Sequence, residues 1–448
     1  MSDAISLLLP HIARWKSFTI LTDTWEPMYT ALSLINPSIT QYGAPQLQAL
    51  SLMRCNDYVS FSRRFQPRHL RDLGFLAPYT TKSRKNLLPR LKHLSLRGVH
   101  VDWDSLSDLL LDSSLSTLEL ASHPKDVRPS MSQFHKLLSS TPSLRSLSVI
   151  GTGPEGPGSE EDSAHNYESI HLPHLNKVTM GYRTETGARS LFHFLDAPNA
   201  TSLTLEDTSY PADPSDVNAG PILNYLGTKQ CDGNDHALDT TQQPPEAGEK
   251  RRKRSICEYH SESSTPKSSP SVFPRLQEVT LRNIKSTFHP LASFIRSLSN
   301  VTHLELVNTS MLAVQALVPY ATPAAISCPC PKLSSLFIKD SELRAQDLDF
   351  IVCKLSHSRQ FMGARELDQL DIHVDASRVA DAHLIAAAAA ASPDSKVNII
   401  SDSESESDSS DDDASFFDEE DEEAAYRPGG VFNDPEFDAY WSMGIAAH

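Results

Sequence analysis

The stretch Leu88-Pro89-Arg90-Leu91-Lys92-His93-Leu94-Ser95-Leu96-Arg97 decides how this chain folds. Leu94 and Leu96 are two apart, so in an extended backbone they share one face, while His93, Ser95 and Arg97 point to the other. Pro89 has no N–H to donate and a fixed φ, so it stops a preceding helix and is tolerated where a strand begins. The reading is a short strand with one buried face, set off by proline from what comes before.

The same register recurs along the whole chain. Proline stands two residues ahead of the core anchor in the pairs Pro45/Leu47, Pro89/Leu91, Pro142/Leu144, Pro173/Leu175, Pro198/Ala200, Pro274/Leu276 and Pro331/Leu333, and cores without that proline begin at Trp15, Leu70, Leu115, Val301 and Leu367. With 30 prolines in 448 residues, one chosen offset of twelve cores should hold proline about once by chance, so seven is a true register. Between cores lie segments with helical spacing, such as Met131, Phe134, Leu137 and Leu138, or Leu348, Ile351, Val352 and Leu355. One strand and one helix per unit make a leucine-rich repeat. The expected fold class is α/β, a leucine-rich-repeat solenoid with a curved parallel sheet on the concave side and helices on the convex side.

Most anchors are separated by roughly 20 to 35 residues, near the usual repeat length, but Ala200 to Leu276 spans 76. Residues 228–272 explain the excess: they are rich in Ser, Pro and Gln, carry a basic run and offer few large apolar side chains to bury. The expected organisation is a first part of the solenoid at 1–227, a disordered insertion at 228–272, a second part at 273–395 ending in an Ala-rich capping helix over Ala376 to Ala391, and a disordered acidic tail at 396–448.

Charge is concentrated at the end. Asp402 to Glu423 holds 13 acidic side chains and no basic ones, so only −4 of the net −17 belongs to the rest of the chain. Such a block is solvated and extended, and its sharper reading is a phosphorylated docking tail: Ser401, Ser403, Ser405, Ser409 and Ser410 each have an acidic residue three positions on, as acidophilic kinases favour. Lys250-Arg251-Arg252-Lys253-Arg254 reads as a nuclear-import run, with a solubilising run or an intramolecular partner for the tail as the alternatives. Its lack of interleaved aromatics argues against nucleic-acid binding. No apolar run is long enough to span a bilayer and the six cysteines are scattered, which points to a cytoplasmic or nuclear protein. On that reading Asn199-Ala200-Thr201 and Asn300-Val301-Thr302 are not glycosylation sites.

Catalysis finds no support in the motifs. Gly151-Thr152-Gly153-Pro154-Glu155-Gly156 spells a dinucleotide-binding pattern, but the acidic Ser159-Glu160-Glu161-Asp162 follows where a helix with an apolar face is required, so it reads as a loop that repels anions. Cys328-Pro329-Cys330 reads as a turn before a strand, and the histidines show no ligand spacing. No enzyme activity, cofactor or metal is expected.

Arg14-Trp15-Lys16-Ser17-Phe18-Thr19-Ile20, the segment Pro45 to Asn56 and the segment Leu88 to Trp103 resemble the repeat region of the F-box proteins expanded in mushroom-forming fungi. In that family a helical F-box ahead of the repeats binds the adaptor of a cullin-based ubiquitin ligase, and the repeats hold the substrate. Thirteen residues precede Arg14, too few for an F-box, so the resemblance covers the repeats alone: either an F-box is encoded upstream or this is a repeat-only relative. It implies a non-enzymatic protein-recognition scaffold, with cullin-ligase components as partners if an F-box exists. The alternative is an acidic leucine-rich nuclear chaperone holding basic proteins such as histones through its tail. The candidate protein-binding residues are the outward positions of the strands: His93, Ser95, Arg97, Glu119, Lys177, Arg282, His303, Glu305, Phe337, Lys339, Asp371 and His373, with Phe337 as the aromatic anchor.

Overall fold

The computed structural model describes residues 2–55, 64–70, 87–111, 113–151, 153–154, 167–209, 218–229, 271–321, 326–339, 347–348, 350–374 and 396–401. Twelve strands form one sheet in chain order: β1 (Ser17–Thr22), β2 (Ala49–Arg54), β3 (His93–Arg97), β4 (Thr117–Ala121), β5 (Ser146–Ile150), β6 (Lys177–Tyr182), β7 (Ser202–Asp207), β8 (Glu278–Arg282), β9 (His303–Val307), β10 (Ser335–Lys339), β11 (Gln369–Val374) and β12 (Lys396–Ser401). Every neighbouring pair in it is parallel. The helices α1 (Ser2–Leu8), α2 (Trp25–Tyr42), α3 (Trp103–Leu110), α4 (Met131–Ser139), α5 (Glu185–Phe194), α6 (Gly220–Thr228), α7 (Phe288–Ser297), α8 (Met311–Gln315) and α9 (Ser356–Phe361) complete the described repeats. Strands stack about 4.8 Å apart and helices about 8–10 Å apart, so a row of such units curves with its sheet on the inside. The chain is a leucine-rich-repeat solenoid.

Two aliphatic ladders run through the sheet. Leu50, Leu94, Leu118, Leu147, Val178, Leu203, Val279, Leu304, Leu336 and Leu370 are in register and buried, as are Leu52, Leu96, Leu120, Val149, Met180, Leu205, Leu281, Leu306, Ile338 and Ile372. Each such side chain contributes about 1.5–3 kcal/mol through burial, and alternation along each strand puts both ladders on one face. Helix faces close the core from behind: Met131, Phe134, Leu137 and Leu138 of α4 are all buried, and its Ser130/Gln133 capping box satisfies the first turn.

The prolines act more specifically than as helix stops. In Ala44-Pro45-Gln46-Leu47 the anchor Leu47 N–H donates to Ala44 O at 3.0 Å, and the same turn recurs at Leu91 to Leu88, Leu144 to Thr141, Leu175 to Leu172, Ala200 to Ala197 and Leu333 to Cys330. Proline therefore presets φ at the second position of a β-turn whose first and last residues are buried. Asparagine at the third position links successive turns: Asn199 Nδ2 donates to Pro173 O at 2.8 Å and Asn300 Nδ2 to Pro274 O at 3.1 Å. Both asparagines of the glycosylation-like triplets thus have an internal structural task.

At the far end of several strands the residue after the last strand position takes a left-handed conformation: Gly98, Ser122, Gly151, Asn283 and Asn308. From it the N–H donates to the next strand, as in Gly98 to Ala121 O and Asn308 to Lys339 O, extending the ladder by one bond.

Four expectations need correction. Leu70 starts no strand: it ends a short 3₁₀ turn, Arg68–Leu70, its carbonyl accepts from Trp25 Nε1, and β2 pairs directly with β3. The Leu-x-x-Leu-x-Leu skeleton arose there without a unit to stack. Lys396–Ser401 is a strand and not part of the tail, because it pairs with β11; Asp394 stands where an apolar anchor was required, which hid it. The ends of the 228–272 interval also belong to the fold: Thr228 closes α6 and Val272 N–H donates to Leu226 O. The segment around Ile351 is a π-helical turn, Phe350–Leu355, running into α9, with Ile351 and Leu355 buried. β7 and β8 pair directly, so the long excursion is spliced between adjacent repeats. The Ala-rich segment expected to cap the array lies outside the described residues.

Candidate functional site

The odd positions of the strands form three rows on the face opposite the ladders. All twelve candidate binding residues fall on it. The first row carries His93, Lys177 and His303, the second Ser95, Glu119, Glu305, Phe337 and Asp371, and the third Arg97, Arg282, Lys339 and His373. The two halves of this face differ. From β2 to β7 the middle row reads Ser51, Ser95, Glu119, Ser148, Thr179, Thr204, mostly short hydroxyls, and Ser95 is buried at 7% exposure and not outward-facing in any useful sense.

From β8 to β12 the middle row is polar on either side of Phe337 and tied together. Thr280 Oγ1 and Arg282 Nη2 donate to the two oxygens of Glu305 at 2.9 and 3.1 Å. Gln369 Nε2 and Asn398 Nδ2 donate to the two oxygens of Asp371 at 2.6 and 2.7 Å. Phe337 lies in register between these two carboxylates and packs on His373 with ring centroids 4.7 Å apart. Its outward position suggested an exposed aromatic; it is half-buried. Glu206, in register with Arg282, has its carboxyl pushed up by burial while the Arg282 charge pulls it back.

The third row also holds side chains that a search for polar residues passed over: Leu21, Met53, Ala121, Ile150, Val307 and Ile400, with Leu21 61% exposed. Counting every second residue onward from each anchor finds them.

A second concavity lies at the carboxyl ends of β5 and β6, next to the N-terminal turns of α4 and α5. It encloses about 910 Å³, and its walls include Lys125, Asp126, Arg128, Ser130, Gly151, Gly153, Tyr182, Arg183 and Thr184. Nothing in the sequence reading marked these residues except the glycines, which belong to the discounted Gly151-x-Gly153 pattern. The Gly151 N–H is spent on Gly181 O, so it is not part of a phosphate cradle.

Cys330 is the buried first residue of a β-turn, its thiol near Ile295 O at 3.4 Å and pushed up to about 12 by burial. The buried Arg359 donates to Pro329 O and Cys330 O, so Cys328-Pro329-Cys330 is a turn held by a guanidinium. Among the described residues no group of three His, Cys, Asp or Glu side chains could hold a metal ion, and no helix is long and apolar enough to cross a membrane. Ser401 is the last residue of β12; Ser403, Ser405, Ser409, Ser410 and the run Lys250 to Arg254 lie outside the described residues.

No family model matches the chain, and no curated protein matches it. Among solved structures it is similar to the crystal structure of a TLR13–ssRNA13 complex, at 13% identity and a TM-score of 0.36 over 80% of this chain and 38% of that one. The chain thus spans well under half the length of that protein.

Proposed function

We propose that this chain is a non-enzymatic recognition scaffold that holds a protein partner on the open face of its sheet, acting as the substrate-receptor repeats of an F-box ubiquitin ligase do, in the cytoplasm or nucleus. The observation that carries the reading is the row Glu305–Phe337–Asp371, an aromatic ring between two carboxylates whose orientations are already set by Thr280, Arg282, Gln369 and Asn398. Pre-set polar groups around an aromatic anchor lower the ordering cost of association, and they favour a partner that brings basic side chains to either side of an apolar contact. The ligase connection is supported by the resemblance of Arg14 to Ile20, Pro45 to Asn56 and Leu88 to Trp103 to that family's repeats.

Proximity labelling with the full chain tests it. Phe337→Ala and Arg97→Ala are expected to deplete a common set of proteins, and cullin-ligase components are expected among those recovered with the native chain. An unchanged set in both variants removes the open face. Recovery of histones that depends on residues 402–424 puts the acidic-chaperone reading in its place; that deletion spares Ser401 and therefore β12.

A further inference from the structure

The amino-terminal edge of the sheet carries a row of cations that the open face does not use. Each unit presents three neighbouring positions there: the residue before the core anchor, the residue after it and the first residue of the strand. From β1 to β7 these positions hold Arg14, Lys16, Arg90, Lys92, Arg145 and Lys177, and not one Asp or Glu. Backbone bonds keep the row in order: Gln48 N–H donates to Lys16 O, Lys92 N–H to Gln48 O, Ser116 N–H to Lys92 O and Arg145 N–H to Ser116 O, all at 2.7–2.8 Å. The cations of β1, β3 and β5 therefore recur about every 10 Å, comparable to the Debye length, so their fields overlap along the rim.

All six are exposed. Arg14 meets His11 at 3.0 Å and Arg90 donates to the neutral Gln46 at 2.6 Å, but among the described residues no carboxylate pairs with any of the six. Glu119 stands two residues farther along β4, and Asp196 is held by His171 at 2.6 Å. The stretches outside the described residues that lead into the turns of β3 and β4, 71–86 and Asp112, hold four cations and two acids. The acidic stretch 155–166 is entered at Pro154, in the cavity wall at the carboxyl edge, and left at Tyr167, whose ring lies 5.4 Å from that of His135 on α4, so neither of its ends is on the rim. Beside the rim the open face is floored by short hydroxyls, Ser17, Thr117 and Ser146 in the first row and Thr19, Ser51 and Ser148 in the middle row. Hydroxyl and cationic donors match carboxylate and phosphate oxygens. The pattern stops after β7, where Glu278, Glu366 and Asp368 take the equivalent positions.

We infer that this rim docks the chain's own acidic segment, Asp402 to Glu423. Thirteen carboxylates without a cation face six cations without a carboxylate. Reach permits it: the segment begins where β12 ends, at Ser401. β6 lies six strand spacings away, about 29 Å, and crossing from the carboxyl to the amino edge adds about 20 Å, whereas the segment's residues span about 73 Å when extended. The segment thus arrives at β6 with length left to run toward β1. Tethering holds it at an effective concentration on the order of mM, so contacts that are individually weak and screened act together. Phosphates on Ser403, Ser405, Ser409 and Ser410 would each add nearly two negative charges and tighten the contact. The rim shares no residue with Glu305, Phe337 and Asp371, so the inference stands apart from the recognition reading. Lys250 to Arg254 is the rival partner for the same carboxylates.

Zero-length carbodiimide cross-linking of the full chain, as a mixture of isotope-labelled and unlabelled protein, separates these cases. Links within one chain from Lys16, Lys92 or Lys177 to carboxylates of 402–423 are expected, and they should vanish in about 1 M salt, where the Debye length falls to about 3 Å. In the full chain carrying Arg90→Gln, Lys92→Gln and Arg145→Gln together, a glutamate-specific protease should cut the segment about threefold faster than in the native chain, with a melting temperature within a few degrees of native. Neutralising Lys250 to Arg254 should leave that rate unchanged. Absence of such links overturns the assignment, as do rim links only to other carboxylates, Glu160, Glu161 and Asp162 included, links only between chains, tail links confined to Lys250 and Lys253, or an unchanged cleavage rate in the folded rim variant. Partner recovery that depends on Phe337 is read separately, so each of these results leaves the recognition reading intact.

Discussion

The open face and the carboxyl-edge cavity share strands β5 and β6 but are built by different rules. On the open face each residue's exposure is set by alternation within its own strand, so Glu305, Phe337 and Asp371 meet because register is preserved from repeat to repeat. At the cavity, Lys125 and Arg128 come from the connection after β4, Gly151 from the end of β5, and Tyr182 and Arg183 from the end of β6. They converge only because three repeats stack. A solenoid can therefore present two surfaces of unlike make-up with no shared side chain, one spread over many strands and one confined to neighbouring loops.

The strongest way to break that separation is at the spine both sites depend on. Leu203→Ala opens a gap between Val178 and Val279 and is expected to cost about 2–5 kcal/mol by denaturant unfolding. Because coupling in repeat arrays is mainly between neighbours, hydrogen-exchange protection of the β6 and β7 amides should be lost at lower urea than partner capture at β10; simultaneous loss would mean that the array melts as one block.

Acid should separate the regions next. His123, fully buried against Trp103 and beside Arg128, has its pKa lowered to about 3 by burial, then by Arg128 and His100. Its folded value lies below the unfolded one of about 6.5, so its contribution is complete above pH 6.5 and is lost as pH falls toward 3. At pH 5 the loss is on the order of 2 kcal/mol. Melting temperatures should fall between pH 7 and pH 5 in the native chain, and His123→Phe should flatten that slope; equal slopes would mean that other groups carry it.

A smaller effect is expected at the anchor. Phe337→Ala should weaken partner capture at least tenfold, about 1.4 kcal/mol, while changing stability by much less than Leu203→Ala, since the ring is only half-buried. The least is expected at Arg282→Gln, which removes a half-exposed ion pair with Glu305 worth about 1 kcal/mol or less. It should also raise the Glu206 carboxyl further, because Arg282 now holds it down; an NMR titration of Glu206 that does not move would contradict the placement of Arg282.

Much of this was legible beforehand where the signal is local. Eleven of the twelve cores read from the sequence became strands starting two residues after the anchor, and Leu94, Leu147, Val279 and Leu336 stand in one ladder as the alternation required. Leu70 failed because three spaced leucines say nothing about whether a neighbour is available to pair. β12 was missed because Asp394 replaces the anchor and an acidic run follows, so composition outweighed the two apolar positions Val397 and Ile399. Arg128 and Arg183 were overlooked because 55 residues separate them, and no spacing rule joins loops of different repeats.

The amino-acid sequence alone determined the repeat, the inward face of nearly every strand and the proline turns, because each of these rests on contacts within a few residues. Tertiary stacking alone decided that β2 meets β3, that β7 meets β8 across the long excursion, and that three separated cations and a buried hydroxyl share one cavity. The physical reason is range: side-chain alternation is set by the local backbone, whereas the distance between two loops is set by the rise and register of every repeat between them.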